Sequence, residues 1–399
     1  MTDRPKKRIF ISACEHSAEL HCANLIRATE DRLAARRAWA KTGEAPQIDW
    51  VGLGGERMAE AGCTILADPV QRAAMLYNVL GQLGYYRRLI RQAAQYLKDN
   101  AVDLVVVCDS PALNFHIAKA AARRGIPVLF YVAPQLWAWA PWRIHKMRRC
   151  CTKLACILPF EEDWFRTRGI DATFVSNPLF DELAEPVERN TKTYAAYRSD
   201  APRIALLPGS RNAEIRTLWP AMLEIAAQLR QQHPQATFVS CAADADKLAA
   251  MQAAAEGGPA IAYETGRLYE TVKGCDFALV ASGSATLQVA AAGCPMAILY
   301  QSSKWLWHLV GRWLIRTRFL SLVNILARKE LVPEYMPYFD AVEPIAQTCH
   351  GLVSNTGRLM QTSQALTELV KPLAAARACD NVAKIVLDML TLPPRPSGQ

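Results

Sequence analysis

Several features are scarce or missing in this 399-residue chain, and each shortage removes a class of protein. Its twelve cysteines form no Cys-x-x-Cys pair and no zinc-knuckle spacing, and Cys108 and Cys156 sit inside apolar runs. A disulfide framework or a structural zinc site is therefore not expected, since such thiols act as small hydrophobes. No stretch looks able to span a bilayer: the longest charge-free one, 277–303, is broken by Gly, Ser, Gln and Pro. The N-terminus Met-Thr-Asp-Arg-Pro-Lys-Lys-Arg leads straight into Ile-Phe-Ile-Ser without a signal-peptide core, so a cytosolic chain is expected. There is no Walker A and no G-x-G-x-x-G fingerprint, which leaves a P-loop NTPase or a dehydrogenase unsupported. No nucleic-acid-binding motif is present either.

What is present favours two or three packed domains. Apolar residues make up 51% of the chain and charged residues 21%, ample for cores and too apolar for disorder. The balance of 46 Lys and Arg against 37 Asp and Glu gives a formal charge of +9, which suggests an anionic partner.

Short apolar runs alternate with helical segments. Strands are expected at 8–13, 49–53, 103–108, 127–132 and 154–158, with helices at 20–38 and 115–124. A polar break at 181–202 reads as a linker. The alternation then resumes with strands at 203–207, 236–241, 277–281 and 295–300, and helices at 213–231, 245–255 and 285–292. Helical pattern returns at 341–354 and 361–391. Near-continuous β-branched runs separated by helices predict parallel sheets covered on both faces, in two α/β halves joined near residue 190.

The chemistry concentrates in strand-to-helix turns. In Leu206-Leu-Pro-Gly-Ser-Arg211, Gly209 and Ser210 lead into a helix whose free N–H groups suit an anion, and Arg211 adds a fork suited to a diphosphate. An ordinary turn with a surface arginine is an equally good reading of this motif alone. A second turn, Ser282-Gly283-Ser284, opens another helix, and two such turns in one half suggest a nucleotide across the strand ends. Gly52-Leu-Gly-Gly55 is weaker support. In the first half, Asp109 lies just past a buried strand, where it could take a proton from a hydroxyl; on position alone, capping the helix near Pro111 is the better reading. Glu15, His16, Glu19 and His21 read as a polar, solvated helix face without metal-ligand spacing.

In the segment 304–316, polar residues recur every fourth position between apolar ones. On a helix this gives a narrow basic stripe with Arg312 and Arg316 beside a broad face carrying Trp305, Trp307 and Trp313, suited to a membrane interface. A weaker candidate begins at Met75 and Leu76 and ends in Arg87-Arg88.

Together the motifs resemble the lipid-A-disaccharide synthase family of GT-B glycosyltransferases. The likeness runs in order through Gly52-Leu-Gly-Gly-Glu-Arg-Met58, Trp137-Ala-Trp139, Ile157-Leu-Pro-Phe-Glu161, Leu206-Leu-Pro-Gly-Ser-Arg211, Ser282-Gly-Ser-Ala285, and Ser321-Leu-Val-Asn-Ile-Leu-Ala327 before Val332-Pro-Glu334. It implies two Rossmann-like domains facing a central cleft: 1–190 for a lipid acceptor, 191–365 for a UDP-sugar donor, and a C-terminal helical segment and tail at 366–399. It also implies an inverting transfer without metal or other cofactor, from UDP-2,3-diacylglucosamine to 2,3-diacylglucosamine 1-phosphate, at the cytoplasmic face of the inner membrane. Carried over residue by residue, Asp109 matches the family's base, Glu15 its N-terminal acid, and Arg211 and Asn324 its donor-side residues. Gly209, Ser210, Glu214, Ser282, Gly283, Ser284 and Gln288 would line the donor site. Met75, Leu76, Trp305, Trp307, Arg312, Trp313 and Arg316 would meet acyl chains or membrane. Departures are Cys14 and Ala18 for two glycines, Ala112 for an Asp, Ser176-Asn177 for Gly-His, Gln288 for a Glu and Pro337 for a Gln, besides a changed Val-Met-Gly around Ala74–Leu76.

On this reading the basicity is local. Residues 110–160 carry eight Lys or Arg and no acid, residues 277–329 carry six and no acid, and the remainder has 32 basic against 37 acidic. Both zones would then serve phosphorylated lipid and an anionic membrane. A silent relative that binds lipid or a partner, and a soluble UDP-sugar epimerase on the same plan, are the rival readings. Homo-oligomerisation is left open, and no nucleic-acid partner is expected.

Overall fold

The computed structural model describes residues 6–39, 46–70, 79–181, 183, 186–302 and 317–391. It divides into two units, Met1–Asp181 with Ala375–Gln399, and Glu182–Ala374.

In the first unit, seven parallel strands form one sheet: β1 Lys6–Ser12, β2 Gln47–Leu53, β3 Thr64–Ala67, β4 Leu104–Cys108, β5 Val128–Tyr131, β6 Lys153–Cys156 and β7 Ala172–Phe174. Their order is β3-β2-β1-β4-β5-β6-β7, so it reverses between β1 and β4. Alternate side chains serve opposite cores. Ile9, Ile11, Leu104 and Val106 pack with residues of the helices His16–Trp39 and Ala378–Thr391. Phe10, Val105 and Val107 pack with residues of Val79–Asp99 and Pro111–Ala122 on the other side. Burial on both faces is why β4 reads Leu-Val-Val-Val-Cys without a polar residue.

The second unit repeats the plan with β8 Arg203–Leu207, β9 Thr237–Ala242, β10 Ile261–Thr265, β11 Phe277–Ala281, β12 Met296–Leu299 and β13 Glu334–Tyr335. The order is β10-β9-β8-β11-β12-β13, all parallel, reversing between β8 and β11. Ile204, Leu206 and Phe277 face the helices Asn212–Gln232 and Glu343–Val353. The expected two-half α/β plan is therefore observed.

Its boundaries differ from those expected. The chain leaves the first unit after Asp181 rather than near 190, because part of the presumed linker is built into the second. Asn190 donates to Tyr269 Oη at 2.7 Å and Ala291 O at 2.8 Å, while Tyr194 and Tyr197 donate to the carbonyls of Asp276 and Val353. Nor is 366–399 a segment of its own. The helix Thr356–Val370 belongs to the second unit, and Ala378–Thr391 returns to the first. All twelve cysteines are free and buried.

Candidate active site

Open α/β sheets bind ligands beyond the carboxyl ends of their strands where strand order reverses. In the first unit that place follows β1 and β4, and it carries Glu15 and Asp109. The turn after β4 is strained: Asp109 has φ 49° and Ser110 φ 42°, two consecutive non-glycine residues in the left-handed region. Val132 (φ 64°), past β5, and Ser176 (φ 71°), past β7, lie at the same edge. Asn114, fully buried, holds the turn. Its Nδ2 donates to Cys108 O at 2.9 Å and Asp109 O at 2.8 Å, and its Oδ1 accepts from Ser12 Oγ on β1 at 2.9 Å.

Asp109 does not cap the next helix, contrary to the simpler positional reading. Ser110 is the N-cap residue there, and its side chain makes no capping bond. Burial pushes the Asp109 carboxyl above the usual aspartate range, and the nearby Glu15 charge pushes it further. Asp109 thus senses the charge of Glu15. The buried Ser110 Oγ, next to Asp109 in the chain, has no hydrogen-bond partner among the described residues.

The solvated-face reading of the first helix holds for Glu15 and His16 and fails further along. Glu19 is buried and accepts from Arg57 N at 2.9 Å, tying the first helix to the turn after β2. Desolvation pulls the His21 imidazole down to about 4. These contacts also explain the glycine cluster. A Cβ on Gly52 would lie 1.7 Å from Ile11 O, and one on Gly55 would lie 2.5 Å from Glu19 Oε1. Close packing, not anion binding, requires glycine at these two positions.

The second unit's reversal point carries the two small-residue turns. Gly209, at φ 102°, takes a conformation only glycine adopts readily, and its missing Cβ leaves room for Glu214 Oε2. Ser210 and Arg211 are exposed, and the 21-residue helix Asn212–Gln232 begins at once. Glu214 folds back on that helix end: it accepts from Arg211 N at 3.2 Å and pairs with Arg211 Nη1 at 2.9 Å. A carboxylate therefore already lies against the N-terminus where a phosphate would be favoured. Arg211 is largely exposed while Glu214 is half-buried, so solvent screens the pair from the arginine side and another anion can compete with Glu214 for the guanidinium. In the other turn Gly283 and Ser284 are exposed, Ser282 and Gln288 half-buried. Thr286, a residue the sequence reading passed over, closes this turn by donating its hydroxyl to Gly283 O at 2.7 Å.

Asn324 does not present itself as a contact for a ligand. It is fully buried, and all of its amide's hydrogen-bonding capacity is engaged. Oδ1 accepts from Leu331 N and Val332 N, while Nδ2 donates to Val332 O and to Glu334 Oε2 at 2.9 Å. Glu334 also accepts from Leu320 N, Ser321 N and Ser321 Oγ. Asn324 and Glu334 thus lock the short helix Leu322–Ala327 to the strand-forming segment at β13. In this structure the Asn324 amide is engaged in supporting the chain around β13. Met75, Leu76, Trp305, Trp307, Arg312, Trp313 and Arg316 lie outside the described residues.

Among the described residues, no group of three or more His, Cys, Asp or Glu could hold a metal ion. Asp244 caps the helix Ala245–Ala254, accepting from Lys247 N at 2.9 Å, and Asp246 lies in that helix's first turn. No helix of the described residues is long and apolar enough to cross a membrane.

Comparison with known proteins decides the family. The profile of the family described as "Lipid-A-disaccharide synthetase" matches residues 9–389. The chain is 32% identical over 397 residues to the lipid-A-disaccharide synthase of Geobacter sulfurreducens, covering 98% of this chain and 99% of that protein. The chain belongs to the lipid-A-disaccharide synthase family. It is a glycosyltransferase of lipid A biosynthesis. A second family member, from Myxococcus xanthus, is 32% identical over 398 residues, covering 98% of this chain and 99% of that one. Among solved structures, a putative UDP-N-acetylglucosamine 2-epimerase from Listeria monocytogenes aligns with TM-score 0.63 at 12% identity, covering 99% of each chain. The UDP-GlcNAc 2-epimerase of Methanocaldococcus jannaschii, in complex with UDP-GlcNAc and UDP, aligns with TM-score 0.55 at 12% identity over 96% of this chain and 99% of that one. At that identity the likeness carries the two-Rossmann fold alone and gives the epimerase alternative no support. Within the lipid-A-disaccharide synthase family, the departures at Cys14 and Ala18 fall on buried positions, and Ala112 on an exposed one.

Proposed function

We propose that this chain joins UDP-2,3-diacylglucosamine to 2,3-diacylglucosamine 1-phosphate, giving the β-1,6 disaccharide 1-phosphate and UDP with inversion. The observation that carries the reading is a division of chemistry between the two reversal points. Half-buried Asp109 stands with Glu15 on one sheet, and Arg211 stands at a helix N-terminus on the other.

Asp109 is the general base. Its raised affinity for protons makes it a stronger acceptor than a solvated aspartate. It takes the proton from the acceptor's 6-hydroxyl as that oxygen attacks the donor's anomeric carbon. The bond from that carbon to the diphosphate oxygen breaks, and the pair of electrons leaves with UDP. Arg211, released from Glu214, and the N–H groups at the start of Asn212–Gln232 stabilise the charge on the departing diphosphate. Gly209, Ser210, Ser282, Gly283, Ser284 and Gln288 line the donor side, with Asn324 positioning the nearby chain. The 304–316 segment and the Met75–Leu76 region meet acyl chains and the cytoplasmic face of the membrane.

The test is disaccharide and UDP formation by purified protein from the two lipid substrates. Wild type should form both. Asp109→Asn and Arg211→Ala should each lose at least about a hundredfold in turnover while staying folded. Near-normal turnover in either variant would remove that residue from the mechanism.

A further inference from the structure

Three large apolar side chains are prominently exposed among the described residues: Trp139 at 38%, Trp142 at 56% and Met360 at 45%. The two tryptophans lie three residues apart on one loop, between β5 and the helix Ile144–Cys150. That loop is anchored from beneath. Trp137 is buried, donates its indole N–H to Glu161 at 2.9 Å and meets Phe160 edge-on with ring centroids 4.8 Å apart. Ala140, at φ 57°, bends the chain between the two exposed indoles. The Arg143 guanidinium lies over the Trp139 ring at 4.7 Å. Ile144, Met147 and Cys150 then face the core, while Lys146, Arg148 and Arg149 are exposed. No acidic residue occurs from 110 to 160, and the first one after that, Glu161, is buried.

Two exposed indoles on a fixed loop, ringed by cations without counter-charges in the local sequence, match a headgroup layer. Tryptophan's amphipathic ring settles at that depth, and the cations draw anionic lipid. We propose that residues 139–149 form a membrane-docking surface of the first unit, seating Trp139 and Trp142 among anionic headgroups with Arg143, Lys146 and Arg149 on their phosphates. A nucleic acid would stack bases on open ring faces, and Arg143 covers one face of Trp139. The surface is separate in sequence and unit from the 304–316 segment. It rests on the reading that the acceptor is a membrane lipid.

A single introduced thiol reports on it. All native cysteines are buried, so Trp142→Cys in the full chain takes an environment-sensitive fluorophore at one accessible position. The probes are phosphatidylcholine vesicles with and without phosphatidylglycerol, free of both sugar lipids. The emission should move to the blue with the anionic vesicles alone, and the shift should fade as salt rises. Arg143→Ala and Lys146→Ala in the labelled protein should each weaken vesicle partition about fivefold. A fluorophore that stays in water while the protein floats with the vesicles would overturn the proposal, as would a protein that does not bind them. These vesicles hold no substrate, so the outcome is independent of disaccharide formation; turnover in detergent micelles tests that reading separately.

Discussion

Asp109 sits where ionising a carboxyl is costly: it is half-buried, near the charge of Glu15, on a turn of two left-handed residues. Asn114 fixes that turn through Cys108 O and Asp109 O, so the geometry does not depend on the charge state of Asp109 itself. The direction of coupling gives a test. Glu15 raises Asp109, so Glu15→Gln should lower the midpoint at which Asp109 protonates, moving it toward an ordinary aspartate. Carbon-13 titration of the Asp109 carboxyl reads this whether or not the variant turns over. An unchanged midpoint would separate the two residues. Asn324 makes a contrasting case, since it acts through Glu334. Asn324→Ala leaves Glu334 and several buried backbone groups short of partners and should cost roughly 2–4 kcal/mol. Urea unfolding should therefore find Asn324→Ala destabilised together with any loss of activity, where Asp109→Asn is not.

At the scale of elements, the turn-to-helix segment at 157–166 shows burial outweighing hydrogen bonding. Glu161 accepts from Trp137 Nε1, Ile157 N and Leu158 N, which all favour its charged form, yet desolvation lifts its carboxyl from 4.5 to about 7. A carboxyl raised on folding lends stability below its unfolded value and loses it as pH rises through about 7. Glu161→Gln removes that loss, so its stability relative to wild type should improve between pH 5 and 8, by up to about 3 kcal/mol. Denaturant unfolding at both pH values checks this; no change in the difference would mean that Glu161 ionises normally. Elements also mark how far the sequence could be read. β8 and β11 fall where the apolar runs placed them, because a strand covered on both faces must be apolar throughout. The edge strand β10, Ile-Ala-Tyr-Glu-Thr, escaped notice because its exposed edge tolerates polar residues. The places of Arg211 and Asp109 after such buried strands were legible, but position alone left Arg211 even with an ordinary turn and favoured a cap for Asp109. Asn114, Thr286 and Glu334 were not recognised as supports, since their parts depend on partners that only the folded turns bring close.

For the whole molecule, the last helix among the described residues, Ala378–Thr391, is part of the first unit. Asp181, the residue where the chain leaves that unit, accepts from Ala378 N at 2.6 Å and Cys379 N at 2.9 Å, capping the helix on which it returns. Val382, Ala383 and Val386 of that helix are buried in the core that contains β1 and β4. Removing 375–399 should therefore unfold the first unit while the second keeps its fold, which limited proteolysis and hydrogen exchange resolve by unit. Equal loss of protection in both would mean that they fold as one body. The linker expected at 181–202 misled because Asn190, Tyr194 and Tyr197 look like ordinary polar or aromatic residues until their partners are known. The charge follows the units as well, with the acid-free stretch 110–160 in the first and 277–329 in the second.

Product analysis brings these scales together. Purified protein supplied with UDP-2,3-diacylglucosamine and 2,3-diacylglucosamine 1-phosphate in micelles should release one UDP for each β-1,6-linked disaccharide formed, and Asp109→Asn should bind the donor yet form neither product. Donor binding by wild type without any disaccharide would contradict the proposed transfer.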